Sequence, residues 1–203
     1  MTHNLLKNLM LALLMTVAVP FMKAQEAHVG DILCEGDLIV SPASFDSTTQ
    51  VAVGVVFYVD NTGLHGWAIS LADVSDHINF ASYGDLSLGN YEDVRSAIYD
   101  LDGYHNTQVV RETGGGGIFN AVDFANGWYV PAIGQLNYLY GNLLEVNASL
   151  EVAGGTPFEM NGTWNYWSST EYGHYYAWDL ENTGEIKDNY KANYYLLRAA
   201  RNF

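Results

Sequence analysis

One cysteine, 8 basic residues and no catalytic signature set the outer limits of what this 203-residue sequence can do. With Cys34 alone, an intramolecular disulfide is impossible even in an oxidising compartment, so stability has to come from a packed core in which the thiol serves as a small buried hydrophobe. Nor does Cys34 suit lipid attachment, because Leu33 precedes it where a small residue is wanted. Against the 8 Lys and Arg stand 23 Asp and Glu, a formal net charge of −15. That balance argues against nucleic acid and anionic lipid as partners, since phosphate contacts need clustered bases, and fits a soluble exported protein.

The chemical templates are missing too. His28, His65, His77, His105 and His174 show no metal-ligand spacing, and there is no GxSxG, HExxH or P-loop. GGGGIF, from Gly114, lacks the Lys-Ser/Thr and the preceding strand of a phosphate loop and reads as a flexible connection. DLDGYHN, from Asp100 to Asn106, offers Asp100, Asp102 and Asn106 as oxygen ligands, but Gly103 falls fourth and Arg111 twelfth, where an EF-hand needs Gly sixth and Glu twelfth. A turn followed by a helix capped near Asn106 is the expectation there, with no metal and no cofactor. Paired carboxylates for glycoside hydrolysis have no feature selecting them, and an exported glycan-active hydrolase stays open as an alternative.

What the sequence does contain begins with Lys7, the apolar run LMLALLMTVAV, Pro20 and Ala24. The run is shorter than the roughly 20 residues of a membrane span and reads as a signal peptide over residues 1–24, leaving 25–203 as one exported domain. Later apolar runs are short and interrupted, so no membrane insertion is expected after cleavage. VAVGVVFYVD and GWAISL, joined by NTGLH, read as a hairpin of buried strands. Short helices follow to Asn126, then a strand ending at Pro131 and a helix with Leu136, Leu139, Tyr140, Leu143 and Leu144 on one core-facing stripe. From Trp164 onward, alternating aromatic and polar residues read as strands, with ENTGE as a turn. Strands, then helices, then strands predict an α+β fold with one mainly antiparallel sheet.

GWYVPAIGQLNYLY, VNASL, YWSSTE, AW and LRAARNF, with GVVFYVDNTGLHGWAISL and DLDGYHNT upstream, together resemble secreted bacterial domains of the C-type-lectin-like superfamily. The group is the one that includes the C-terminal domain of the Legionella collagen-like adhesin and relatives common in gut Bacteroidetes. The resemblance implies paired N- and C-terminal strands, a loop-rich ligand surface, and binding rather than catalysis. The superfamily's formylglycine-generating enzymes use two cysteines, which Cys34 alone does not supply. Trp167, Ser168, Ser169, Trp178 and Arg198 match positions that look like scaffold. Between them the implied ligand face comprises Tyr172, His174, Tyr175, Tyr176, Asp179, Asn182, Asp188, Asn189, Tyr190, Asn193, Tyr194 and Tyr195. Related variable proteins of diversity-generating retroelements alter that face by mutagenesis at adenines, which favours these residue types.

In HYYAWDL, strand alternation puts Tyr176, Trp178 and Leu180 on a core face and Tyr175, Ala177 and Asp179 on a solvent face, so Tyr176 is disputed between alternation and resemblance. Exposed Tyr beside Asp, His and Asn is the mix of adaptable paratopes, while packing along sheet edges is the bland alternative. Trp164 and Trp167 read as core. Arg198 and Arg201 are expected to pair with carboxylates, Glu171 being one candidate. Three functions follow: a secreted module binding a glycan or a protein surface, the hydrolase, and a structural subunit of a surface assembly. Mass spectrometry of the exported protein is expected to give Gln25 as the first residue; a retained N-terminus would mean an anchor.

Overall fold

The computed structural model describes residues 26–82, 84–86 and 88–203, and the expected signal peptide lies outside the described residues. Two short strands, β1 (Ile32–Cys34) and β2 (Leu38–Val40), lead into the β-branched run of β3 (Ala52–Val59). β3 pairs antiparallel with β4 (Gly66–Ser70), Val55 opposite Ile69, which is the hairpin expected. β5 (Ser75–Asn79) precedes the helical middle: α1 (Val94–Ala97), α2 (Gly103–Glu112), α3 (Ile118–Ala121), the two-residue β6 (Trp128–Tyr129), α4 (Ile133–Gly141) and α5 (Leu143–Val152). The chain closes with β7 (Asn165–Glu171), β8 (Tyr176–Glu181), β9 (Ile186–Tyr190), β10 (Tyr194–Leu197) and β11 (Ala200–Asn202).

The class is α+β, mainly antiparallel, but the strands form two sheets rather than one. The first runs β2-β1-β3-β4-β11-β6 and the second β5-β10-β7-β8-β9, with β10 and β7 parallel. β1 and β11 share the first sheet without pairing, because the β3–β4 hairpin stands between them, which corrects the expected pairing of N- and C-terminal strands. Apart from its visit to β6 of the first sheet through the helical middle, the chain passes from the first sheet to the second between β4 and β5, and back between β10 and β11. At these two crossings Arg198 Nε donates to Asp73 Oδ1 at 2.6 Å, and the Tyr166 hydroxyl donates to the same oxygen at 2.8 Å. The Arg198 guanidinium also donates to Thr156 O and lies 4.1 Å from the centre of the Phe158 ring.

β7 and β8 are buried on both faces. Tyr166, Trp178 and Leu180 pack with Val55, Phe57 and the α4–α5 stripe, while Trp167 and Ala177 pack with Phe80, Val110 and Phe119. Trp164 and Trp167 are core, as expected, and Cys34 is buried, which pushes its thiol pKa up. Leu136, Leu139 and Leu143 are buried, but Leu144 is 76% exposed. The stripe loses its phase at Asn142, a non-helical residue (φ −114°, ψ 14°) whose side chain donates to Phe57 O and Tyr138 O between α4 and α5.

α2 starts earlier than expected. Asp102 caps it by accepting from His105 N–H at 3.0 Å, while Asn106 lies buried inside the helix and donates to Asp100 and Ser169. Asp100 also accepts from Thr170 Oγ1 at 2.8 Å, so this carboxylate ties α2 to β7. The resulting bonds consume oxygens that a calcium reading of the segment would need.

Removing one partner of a buried ion pair costs about 3–5 kcal/mol, because the other charge is left unpaired. Asp73→Ala, which strands the enclosed Arg198 charge, is expected to lose about that much in urea unfolding, and Arg198→Ala less, because Asp73 is partly exposed. Arg198→Ala with Asp73→Ala is expected to cost less than the two single losses added, by about 1 kcal/mol or more. Strict additivity would show that the pair does not pin the crossings.

Candidate functional site

The turn between β7 and β8 and the turn between β9 and β10 meet at one end of the five-stranded sheet. Lys191 N–H donates to Tyr175 O at 2.9 Å, and Tyr176 on β8 is the register partner of Tyr190 on β9. The Tyr176 and Tyr190 rings lie 4.4 Å apart, and the Tyr172 ring closes the row 6.0 Å from Tyr176. His174 stands edge-on to Tyr175 at 4.4 Å and places Nδ1 4.0 Å from Asp85 Oδ2. Tyr175 is 52% exposed, Tyr190 50% and Tyr194 54%, the last stacked on His77 at 4.4 Å. Flat rings held by neighbours offer apolar area and hydroxyls at little entropic cost.

A buried ion pair holds this end. Lys191 and Glu171 are both fully enclosed and joined Nζ to Oε1; Glu171 also accepts from Leu86 N–H, and Lys191 donates to Gly84 O at 2.6 Å. Backbone bonds from Gly84 N–H to His174 O and from Tyr91 N–H to Glu171 O bind the segment from Gly84 to Tyr91 against the β7–β8 turn. Glu171 therefore serves Lys191 and not an arginine: Arg198 pairs with Asp73, and Arg201 with Asp37 at 2.7 Å. Sequence reasoning passed over Lys191. Its one signal was a lysine between Tyr190 and Ala192 in an aromatic stretch of a chain poor in bases.

The expected ligand face divides by burial. His174, Tyr175, Asp188, Tyr190 and Tyr194 are exposed; Tyr172, Tyr176, Asn182, Asn189, Asn193 and Tyr195 are half-buried; Asp179 is enclosed. Tyr172 packs on Trp178 at 5.5 Å and Tyr195 on Trp167 at 4.7 Å, so both lean on the core. Asn193 Nδ2 donates to the Tyr195 hydroxyl at 3.0 Å. Asn182, in the β8–β9 turn where Gly184 takes φ +82°, donates its amide to Gly162 O. Tyr176 belongs to both readings, half-buried at the rim, its phenol raised above the ordinary value chiefly through its hydrogen bond with Tyr190.

Asp179 and Ala177 correct the alternation argument, which put them in solvent. They lie buried because the second face of β7 and β8 is covered too, Trp167 and Ala177 packing there against Phe80, Val110 of α2 and Phe119 of α3. Asp179 accepts from Asn165 Nδ2 at 2.5 Å and Asn189 Nδ2 at 2.7 Å. Burial pushes its pKa up to about 6, against the lowering effect of these two amides.

Among the described residues, no three His, Cys, Asp or Glu side chains gather as a metal site requires, and no helix is long and apolar enough to cross a membrane. No protein-family model and no curated protein matches the chain. Among solved structures, a fimbrial protein from Bacteroides ovatus is similar in fold, with a TM-score of 0.68 at 19% identity over 87% of this chain. This chain spans 49% of that protein, about half its length.

The raised pKa of Asp179 fixes a sign. Between the ordinary carboxylate value of about 4 and the folded value, the folded chain holds a proton that the unfolded chain has released. The contribution is complete below the unfolded value and is lost as pH rises through about 6. Urea unfolding across this window is expected to show a decline on the order of 2–3 kcal/mol from this group, which Asp179→Asn flattens. An unchanged slope in the variant would show that another group is responsible.

Proposed function

We propose that this chain is an exported, non-enzymatic binding module of C-type-lectin-like type. It recognises a glycan or protein surface through the tyrosine-rich end of the five-stranded sheet. The observation that carries this reading is the set Tyr175, Tyr176 and Tyr190, exposed or half-exposed at the end of the sheet that the buried Lys191–Glu171 pair holds, with the Tyr176 and Tyr190 rings in contact. Tyr194 and His174 extend it, and Asp188 supplies an exposed acceptor. The binding end is rigid beneath and aromatic above, which limits the ordering cost of capture.

Non-catalytic use is supported by the fate of the enclosed carboxylates. Glu171 is taken by Lys191, Asp100 by Asn106 and Thr170, Asp179 by Asn165 and Asn189, and Asp31 by His28 N–H. A pair serving as acid and base needs at least one oxygen turned toward substrate, and these oxygens are turned toward the protein. Cell surface, periplasm and extracellular space all suit such a module. The exposed types, Tyr, His and Asp, are also those that adenine mutagenesis favours, so a near-repeat of the 3′ coding region beside a reverse transcriptase would add diversification to this function.

A second reading, a structural subunit of a surface assembly, draws on the fold shared with the Bacteroides ovatus fimbrial protein. It requires self-association at micromolar concentration, which sedimentation of the exported chain measures.

Screening residues 25–203 against glycan and host-protein arrays is expected to yield a ligand. Tyr175→Ala with Tyr190→Ala is expected to weaken binding at least about tenfold, as loss of central aromatic anchors does. Retained affinity in a variant with unchanged circular dichroism would remove this face from the function.

A further inference from the structure

The other sheet has an aromatic site of its own, at the turn end of the β3–β4 hairpin. Tyr58 and Trp67, register partners across the hairpin, stack with ring centres 4.2 Å apart at 26°, and the exposed Tyr138 from α4 leans on both at 4.9 Å and 5.9 Å. Beside this wall opens a groove of about 370 Å³, lined by Tyr58, Asp60, His65, Trp67, Asn202 and Phe203. That volume falls in the range of about 300–1,000 Å³ for small-molecule sites. Gly66 also lines it. A Cβ there would meet Tyr58 O at 2.1 Å and the Phe203 ring at 2.6 Å, so the close approach of β4 to β3 and Phe203 requires glycine at this position.

The polar groups around the groove have capacity left. The indole N–H groups of the buried Trp164, Trp167 and Trp178 each donate to a backbone carbonyl. That of Trp67 has no partner among the described residues, and since no enclosed polar atom goes unpaired, it faces solvent. Asn202 accepts from the Tyr129 hydroxyl through Oδ1, which leaves its amide N–H groups for a ligand. Asp60 takes its turn bonds from Thr62 on Oδ1, and these hydrogen bonds hold its pKa below the usual carboxylate value, so it is an ionised acceptor with Oδ2 to spare. His65 is exposed at the rim.

We infer that this groove is a saccharide subsite, distinct from the tyrosine-rich end and independent of the function proposed for it. A pyranose has an apolar C–H face that rests against aromatic rings, and edge hydroxyls that need both donors and acceptors within reach. Trp67 N–H and the Asn202 amide donate, Asp60 accepts, and His65 does either according to its tautomer. The main competitor, a quaternary ammonium ion, also favours aromatics beside a carboxylate and is held best where several rings enclose it. Here Tyr58 and Trp67 are stacked on each other and form one side of the groove rather than a cage.

The test is a titration of the exported chain with lactose, maltose, cellobiose and N,N′-diacetylchitobiose, followed by amide NMR shifts and calorimetry. At least one disaccharide is expected to bind saturably in the millimolar range, shifting amides of residues 58–67 and 202–203. His65→Ala, an exposed change, and Trp67→Phe, which keeps the ring and removes the indole N–H, are each expected to weaken it several-fold. Tyr175→Ala with Tyr190→Ala is expected to leave it unchanged. Three results would overturn the inference: no disaccharide shifts these amides, binding survives both groove variants, or tetramethylammonium binds there in place of sugars.

Discussion

The ion pair between Arg198 and Asp73 sits where the chain changes sheets in both directions, and the two-sheet arrangement depends on it. A crossing segment leaves one ladder before it joins the next, so its backbone and side-chain polar groups must be met by something other than strand neighbours. Here the two crossings bond to each other, Ser70 N–H to Ala199 O and Val74 N–H to Leu197 O, and Arg198 adds a rigid fork: one arm on Asp73, another on Thr156 O, and its flat face over Phe158. Tyr166 adds its hydroxyl to the same Asp73 oxygen, and burial raises its phenol far above the ordinary range, which keeps it a donor. Lysine could supply the charge but neither the fork nor the planar stack.

From that hub follows the two-sided burial of β7 and β8, and from it the limits of what sequence pattern could show. The β3–β4 hairpin, the tryptophan cores and the Leu136–Leu139–Leu143 stripe were legible because each obeys one period against one partner layer. The polar residues of YWSSTE were legible only as scaffold by resemblance. Their reason is geometric: Ser168 donates to Trp178 O, Ser169 accepts from Asn106, and Thr170 accepts from Ile133 N–H while donating to Asp100. A strand covered on both faces has no solvent side, so period-two reasoning fails there, as it did at Ala177 and Asp179. Lys191 and Glu171 were illegible as a pair for a different reason. They lie 20 positions apart, and only the crossing of the β9–β10 turn over the β7–β8 end brings them together.

The same covering layers explain where ligands can reach this fold. With β7 and β8 covered on both faces, accessible aromatic side chains are found at the end of the five-stranded sheet and at the turn end of the β3–β4 hairpin. Of the twelve residues of the expected face, five are exposed and Asp179 is buried. Asn182, Asn189 and Asn193 spend their amides on the protein, stiffening the turns from which Tyr175, Tyr190 and Tyr194 project.

The edges of the two sheets bear on the choice between a binder and a polymerising subunit. Strand addition requires an edge that is long, flat and apolar enough to accept another chain. β2 has three residues and β6 two, too short to template a partner. β9 has five, but they read IKDNY, and Lys187 is tied to Glu181 at 3.0 Å and Glu185 at 3.1 Å, so a charged lattice guards that edge. β5 opens with Ser75 and an exposed Asp76. Each of the four edges thus has the features by which monomeric proteins prevent edge pairing. Assembly through strand addition at these edges is disfavoured, and the aromatic surface of this fold lies instead at the tyrosine-rich end and beside the Tyr58–Trp67 groove.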